Sequence, residues 1–140
     1  MTELLHRIKV FVFQVVGPSP EYLLLRGSQG IESFWGPLQG SIGFGEKLEG
    51  AIRREVLDDV GLVQPIDLID LGMPARWQVG DEDVIEWTFG FRTPPVQSEL
   101  RLDPRWAEAR WTPFSKGYPL LEFDEDRAAI LRLHTLLGAA

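Results

Sequence analysis

A glycine loop that runs into a carboxylate-bearing helix constrains this chain more than any other feature. Gly40, Gly43 and Gly45 precede Glu46, the stretch from Lys47 to Val60 follows, and Gly61 ends it. Leu48, Ile52, Val56 and Val60 recur every four residues with Ala51 beside them, which is an apolar stripe of helical period. Gly61 is a natural stop, because glycine readily takes the left-handed conformation that closes a helix. Residues three and four apart share a helix face, so Glu55, Asp58 and Asp59 are expected on one side, open to solvent or ligand, and the stripe on another. Three carboxylates within about one turn repel one another unless cations neutralise them, and an oxygen-only ligand set favours Mg²⁺, Mn²⁺ or Ca²⁺. Arg54 stands four residues before Asp58, the spacing at which the two would pair.

The same positions resemble the Nudix box, G-x5-E-x7-R-E-U-x-E-E-x-G-U with U a bulky apolar residue. Gly40, Glu46, Arg54, Glu55, Val56, Gly61 and Leu62 match it, and Asp58 and Asp59 depart from it by replacing Glu. The resemblance implies a metal site made by the Gly40 carbonyl with Glu55, Asp58 and Asp59. It further implies that Arg54 orients a neighbouring carboxylate and that Glu46 braces the loop, so that Glu55, Arg54, Asp59 and Glu46 form the catalytic set. The activity it implies is that of a Mg²⁺-dependent pyrophosphohydrolase, with Mn²⁺ as the other metal to consider. Its substrate would be a small molecule with a diphosphate linkage: a nucleoside triphosphate, a dinucleoside polyphosphate or dihydroneopterin triphosphate. The alternative is a module of the same fold that binds or senses a nucleotide without cutting it. Aspartate favours that alternative, being one methylene shorter than glutamate and drawing its oxygens back by about 1.5 Å.

At 140 residues the chain fits a single domain spanning 1–140. A formal charge of -7, from 14 basic and 21 acidic side chains, argues against nucleic acid and anionic membranes as partners. With no cysteine the chain lacks disulfides, thiolate nucleophiles and Cys-based metal sites. Charges at Glu3, Arg7 and Lys9 interrupt the N-terminal apolar run, so a signal peptide is not expected, and no stretch reaches the roughly 18–20 apolar residues of a membrane span. The expected location is the cytoplasm. A homodimer is a common arrangement that the sequence leaves open.

Residues 7–16 and the segment EYLLLRG are expected as strands joined by a turn at Gly17-Pro18-Ser19-Pro20. PIDLIDLGM and VIEWTFGFR follow as strands separated by a polar stretch at residues 80–83, and Ala109 to Trp111 as one short strand. A last helix is expected from Asp124 to Leu137, with Ala128, Ile130, Leu131, Leu133, Leu136 and Leu137 on its apolar side. The expected fold class is α+β, a Nudix-type α/β/α sandwich with a mixed sheet between helices, its strand order open.

On the substrate side a thinner similarity to bacterial dihydroneopterin triphosphate pyrophosphatases rests on Phe34-Trp35, Trp87, Trp111 and the helix segment from Arg127 to Ile130. This chain has Arg105-Trp106 where those proteins have Glu-His, so the pterin itself is not implied. Of five tryptophans, Trp35 and Trp77 flank loops and are the candidates to stack on a flat ring, the others being expected in the core. Arg26 ends a strand, as a phosphate contact or as an exposed arginine. Glu82 and Glu86 lie in an acidic run, as substrate-binding groups or candidates for the general base, or as a solvated turn and strand edge. His6 and His134 are expected to be structural or solvent-facing.

Overall fold

The alternation of Ile8, Val10 and Val12 with Phe11 and Phe13 gives the first strand two apolar faces, and such a strand is stable only with a packed layer on each side. The structure, a computed structural model that describes residues 3–138, supplies both layers. Its strands are β1 (Glu3–Val16), β2 (Ser19–Gly27), β3 (Leu38–Ser41), β4 (Asp67–Asp70), β5 (Ala75–Val79), β6 (Glu82–Arg92) and β7 (Trp106–Pro113). Its helices are α1 (Leu48–Val60), α2 (Phe114–Leu120) and α3 (Asp124–Leu136), with a 3₁₀ turn at Gly30–Ser33.

The sheet runs β4-β6-β1-β2-β7, with β3 also paired to β1 and β5 to β6. β1 and β6 are parallel along Glu3↔Glu82 to Phe13↔Arg92, and the other pairings are antiparallel, so the sheet is mixed as expected. On the edge away from β6, β1 changes partner, from β3 at residues 7–10 to β2 at residues 13–16. One face packs Ile8, Val10, Val12, Phe89 and Phe91 under Ala51, Ile52, Val56 and Val60 of α1. The other packs Phe11, Phe13, Tyr22 and Leu24 under Ala129, Ile130 and Leu133 of α3. None of the described helices is long and apolar enough to cross a membrane.

Several elements differ from the expectation. The first turn is only Gly17-Pro18, because Ser19 already pairs with Val16. The polar stretch at 80–83 is no separator: Gly80-Asp81 closes a two-residue hairpin, Gly80 having φ 60°, while Glu82 and Asp83 begin β6 and pair back onto β5. β5 lies outside the expected strands although Ala75, Trp77 and Val79 alternate with Arg76 and Gln78: the run is only five residues long and all of them are exposed, so the alternation marks no buried face. The short strand expected at Ala109 extends over Trp106–Pro113, and α2 was not foreseen. On α3 the buried stripe is Asp126, Ala129, Ile130, Leu133 and His134, rotated from the one expected, so that Ala128, Leu131 and Leu136 face solvent. His134 is buried against Phe114 and bonded to the Tyr22 hydroxyl at 2.7 Å, a structural role.

This rotation makes α3 a direct test of the packing. Leu133 is 0% and Leu131 47% exposed. Leu133→Ala is expected to cost about 2–5 kcal/mol in urea unfolding, and Leu131→Ala no more than about 0.5 kcal/mol. Equal losses would show that α3 docks through another face.

Candidate functional site

Glycine decides where the loop can approach the helix. A Cβ on Gly40 of β3 would lie 2.2 Å from the Glu55 carboxylate, so only glycine lets that side chain rest against the strand backbone. The loop between β3 and α1 is held by Glu46, whose Oε1 accepts from the Gly43 amide at 2.8 Å while the Glu46 amide donates to the Gly43 carbonyl at 3.0 Å. Arg54 then reaches back from α1. Its Nε donates to Glu46 Oε2 at 2.7 Å, its Nη1 to Glu55 Oε1 at 2.9 Å, and its Nη2 to the Ser41 carbonyl at 2.8 Å. Arg54 thus fixes the rotamer of Glu55, not of Asp58, which corrects the expected pairing: the fork of the guanidinium finds two carboxylates and a carbonyl on the loop side of the helix.

The three box carboxylates do not share one open face. Asp59 is buried and accepts from Arg105 Nη2 at 2.5 Å, whereas Asp58 is exposed; of the three only Glu55 lines a cleft. A step of one residue turns the helix by about 100°, which separates these neighbours. Glu55 and Asp59, four apart, remain together: the same Arg105 nitrogen lies 4.0 Å from Glu55 Oε2. Burial pushes the Asp59 carboxyl up, with Arg105 opposing that shift.

Among the described residues no three His, Cys, Asp or Glu side chains gather closely enough to form a metal cage. The donor set nevertheless fits Mg²⁺, which keeps several waters and usually takes only one or two carboxylates beside substrate phosphates. Glu55 and Asp59 already share one cationic nitrogen, and the backbone of Gly40 adjoins Glu55. These are the groups that could hold such an ion.

Around Gly40 and Glu55 lies an open cleft of about 790 Å³ lined also by Phe44, Glu46 and three arginines, Arg7, Arg54 and Arg105, with Gln39 beside them. Three arginines from β1, α1 and the segment before β7 converge here, each paired with a carboxylate, a gathering of charge that sequence distance conceals. Arg7 and Gln39 also line a second cleft of about 940 Å³. Its walls carry Phe34, Trp35, Trp77, Trp106 and Phe123. Trp35 and Trp77 line this cleft, Trp106 borders it from the core, and Trp87 and Trp111 pack against the core. Glu82 and Glu86 both line this aromatic cleft and not the carboxylate cleft.

Glu86 is buried at the floor of the aromatic cleft, 3.7 Å from Arg7 and 3.5 Å from Lys9. Lys9 Nζ also donates to Asp126 Oδ1 of α3 at 2.7 Å. Burial works against the Lys9 charge, yet Asp126 and Glu86 together hold its pKa above the usual value. Lys9 and Asp126 escaped the sequence reading, although period two already placed Arg7 and Lys9 on the side of β1 that bears Phe11 and Phe13. Arg26 does not stand free: it pairs with Glu108 and lies 5.3 Å from the Trp35 ring centre, with Arg110 at 4.9 Å.

The brace on the loop has a titration signature. Hydrogen bonds from Arg54 and from the Gly43 amide lower the Glu46 pKa to about 2, from an ordinary 4.5. A depressed carboxylate stabilises the fold fully above its unfolded pKa and loses that contribution as pH falls through the folded value. A carbon-13 NMR titration of Glu46 is expected to show a midpoint at about 2; a midpoint at the ordinary value would mean that Arg54 does not hold it.

The sequence profile described as "NUDIX domain" matches residues 5–133. No curated protein sequence matches the chain. Among solved structures, a NUDIX hydrolase from Listeria monocytogenes has a TM-score of 0.80 at 18% identity, over 95% of this chain and 94% of that one. The E. coli dihydroneopterin triphosphate pyrophosphohydrolase has a TM-score of 0.73 at 20% identity, over 89% and 91%. The NUDIX domain of Shewanella oneidensis NrtR, complexed with ADP ribose, has a TM-score of 0.76 at 14% identity, over 98% and 89%. A glycine loop and helix that bring Glu46, Arg54 and Glu55 together, in a sheet of this fold and under a profile that spans nearly all of the sequence, make the chain a member of the NUDIX domain family, with the fold of the Nudix hydrolases.

Proposed function

We propose that the protein is a Mg²⁺-dependent pyrophosphohydrolase of a small molecule that joins a flat heterocycle to a phosphate chain. The observation that carries this reading is the adjacency of the two clefts, which share Arg7 and Gln39. One substrate can place its ring between Trp35 and Trp77 and its phosphates before Arg7, Arg54 and Arg105. Dihydroneopterin triphosphate and ADP ribose, named with two of the similar structures, both have that composition.

A divalent ion, when bound, supplies charge neutralisation and acidifies a water at the phosphate chain. The chain's own part is positional. Glu55 and Asp59 offer the carboxylates, Arg54 keeps Glu55 in one rotamer, and Glu46 keeps the loop in register. Glu82 and Glu86, lining the aromatic cleft, serve the ring. Arg26, paired with Glu108 and close to Trp35, supports that wall of the cleft. A reading in which the site binds a nucleotide without turnover draws on the outward Asp58 and on the tie of Asp59 to Arg105.

A panel of nucleoside triphosphates, dinucleoside polyphosphates, nucleotide sugars and dihydroneopterin triphosphate, with Mg²⁺ or Mn²⁺ and products resolved by chromatography, tests the proposal. Cleavage of one class supports it; binding without product from any class moves the protein to the non-catalytic reading. Glu55→Gln is expected to lower kcat by about 100-fold or more with an unchanged melting curve. Gly40→Ala, whose Cβ would meet the Glu55 carboxylate at 2.2 Å, is expected to do similar damage from the strand side. Wild-type turnover in either variant would remove Glu55 from the site.

A further inference from the structure

The segment before β7 is fastened to the end of α1. The Arg101 amide donates to the Val60 carbonyl at 3.3 Å and the Asp103 amide to the Asp59 carbonyl at 2.9 Å. Asp103 then turns the chain, its Oδ1 accepting from the Arg105 amide at 2.9 Å and its carbonyl from the Trp106 amide at 2.9 Å. This fastening delivers one side chain to the box. Arg105 Nη2 donates to Asp59 Oδ2 at 2.5 Å and to the Gln39 carbonyl at 3.0 Å, while its guanidinium carbon lies 4.6 Å from the centre of the Trp106 ring. The Asp59 side chain is 6% exposed and that of Arg105 34%, so the arginine covers the carboxylate from the cleft side.

We propose that Arg105 is a built-in counter-ion of the Asp59–Glu55 pair, one that a divalent cation displaces and that then turns to the substrate's phosphates. This rests on the metal-site reading given under Proposed function and deepens it. The reason is a conflict of charge and space. A guanidinium and a divalent ion repel each other and cannot both occupy the same oxygen of Asp59, yet without a cation the buried carboxylate would stand uncompensated. Arg105 resolves the metal-free state. Once released it remains in the cleft with Arg7 and Arg54, where a planar fork of donors matches a phosphate. Metal and phosphate would then assist each other's binding, because each removes a competitor of the other.

The test measures Mn²⁺ binding to metal-free protein by the paramagnetic resonance signal of the free ion. In the absence of any phosphate, Arg105→Gln is expected to bind Mn²⁺ about tenfold more tightly than wild type, the size of one charge-assisted contact. Methylene diphosphonate, which cannot be hydrolysed, should tighten Mn²⁺ binding in wild type and do so markedly less in the variant. Unchanged or weaker Mn²⁺ binding by a folded Arg105→Gln protein would overturn the inference while leaving the metal site standing. Absence of Mn²⁺ binding by wild type itself would overturn the metal-site reading and this inference with it. Should the variant not fold, the wild-type protein still decides: the Arg105 Nε–H resonance, assigned by nitrogen-15 NMR, must shift when Mg²⁺ saturates the site, and a resonance that stays in place overturns the proposal.

Discussion

β1 must satisfy the backbone hydrogen bonds of 14 residues at the centre of the sheet, and the way it does so organises everything around it. Along one edge it has a single partner, β6, in parallel register for its first eleven residues. Along the other it needs two, β3 and then β2. The change of partner brings Gly40 on β3 against Glu55 in the middle of α1, and on the opposite face sets Arg7 and Lys9 before α3. Both clefts therefore border the same stretch of one strand. Two sites that hold different parts of one substrate need a rigid element between them, and a strand hydrogen-bonded on both edges is such an element.

The charges in this region are arranged so that few stand alone. Arg54 joins Glu46 to Glu55, Arg105 covers Asp59, and Lys9 lies between Glu86 and Asp126. Their worth differs with burial. The Arg53–Glu49 pair on the outer surface of α1 is exposed at both ends and belongs to the class that contributes up to about 1 kcal/mol. Asp126 and Glu86 are buried; removal of one partner from such a pair costs about 3–5 kcal/mol, because the remaining charge has no solvent to turn to. The aromatic cleft thus has a floor whose side chains are held in place by electrostatics, and walls whose rings carry guanidinium groups at 4.6 Å on Trp106 and 4.9 Å on Trp35.

How much of this was legible depends on the range of the signal. The α1 stripe and Gly61 as its stop follow from residues within about four helical turns of one another, and the loop brace at Glu46 was implied by the resemblance to the Nudix box. Asp59 shows the limit. Counting along the helix groups it with Asp58, yet the chain segment 100–105, more than forty residues later, packs over one of the two and leaves the other in solvent. The same reason hid β5, which is exposed throughout and held by its pairing with β6, and turned the apolar side of α3, where Asp126 and His134 are buried because Lys9 and Tyr22 meet them from the sheet.

What the sequence by itself determined is the family, the mixed α+β character, and the α1 stripe with Gly61 as its stop, because each is carried by a local motif or by short-range periodicity. What only the tertiary structure decided is which charges neighbour one another and where the two clefts meet. Arg7, Gln39, Glu55 and Arg105 lie on four separate elements of the sequence and line one cavity. Their proximity comes from strand register and from the docking of the segment before β7 onto α1, long-range hydrogen-bond pairings that no local pattern encodes.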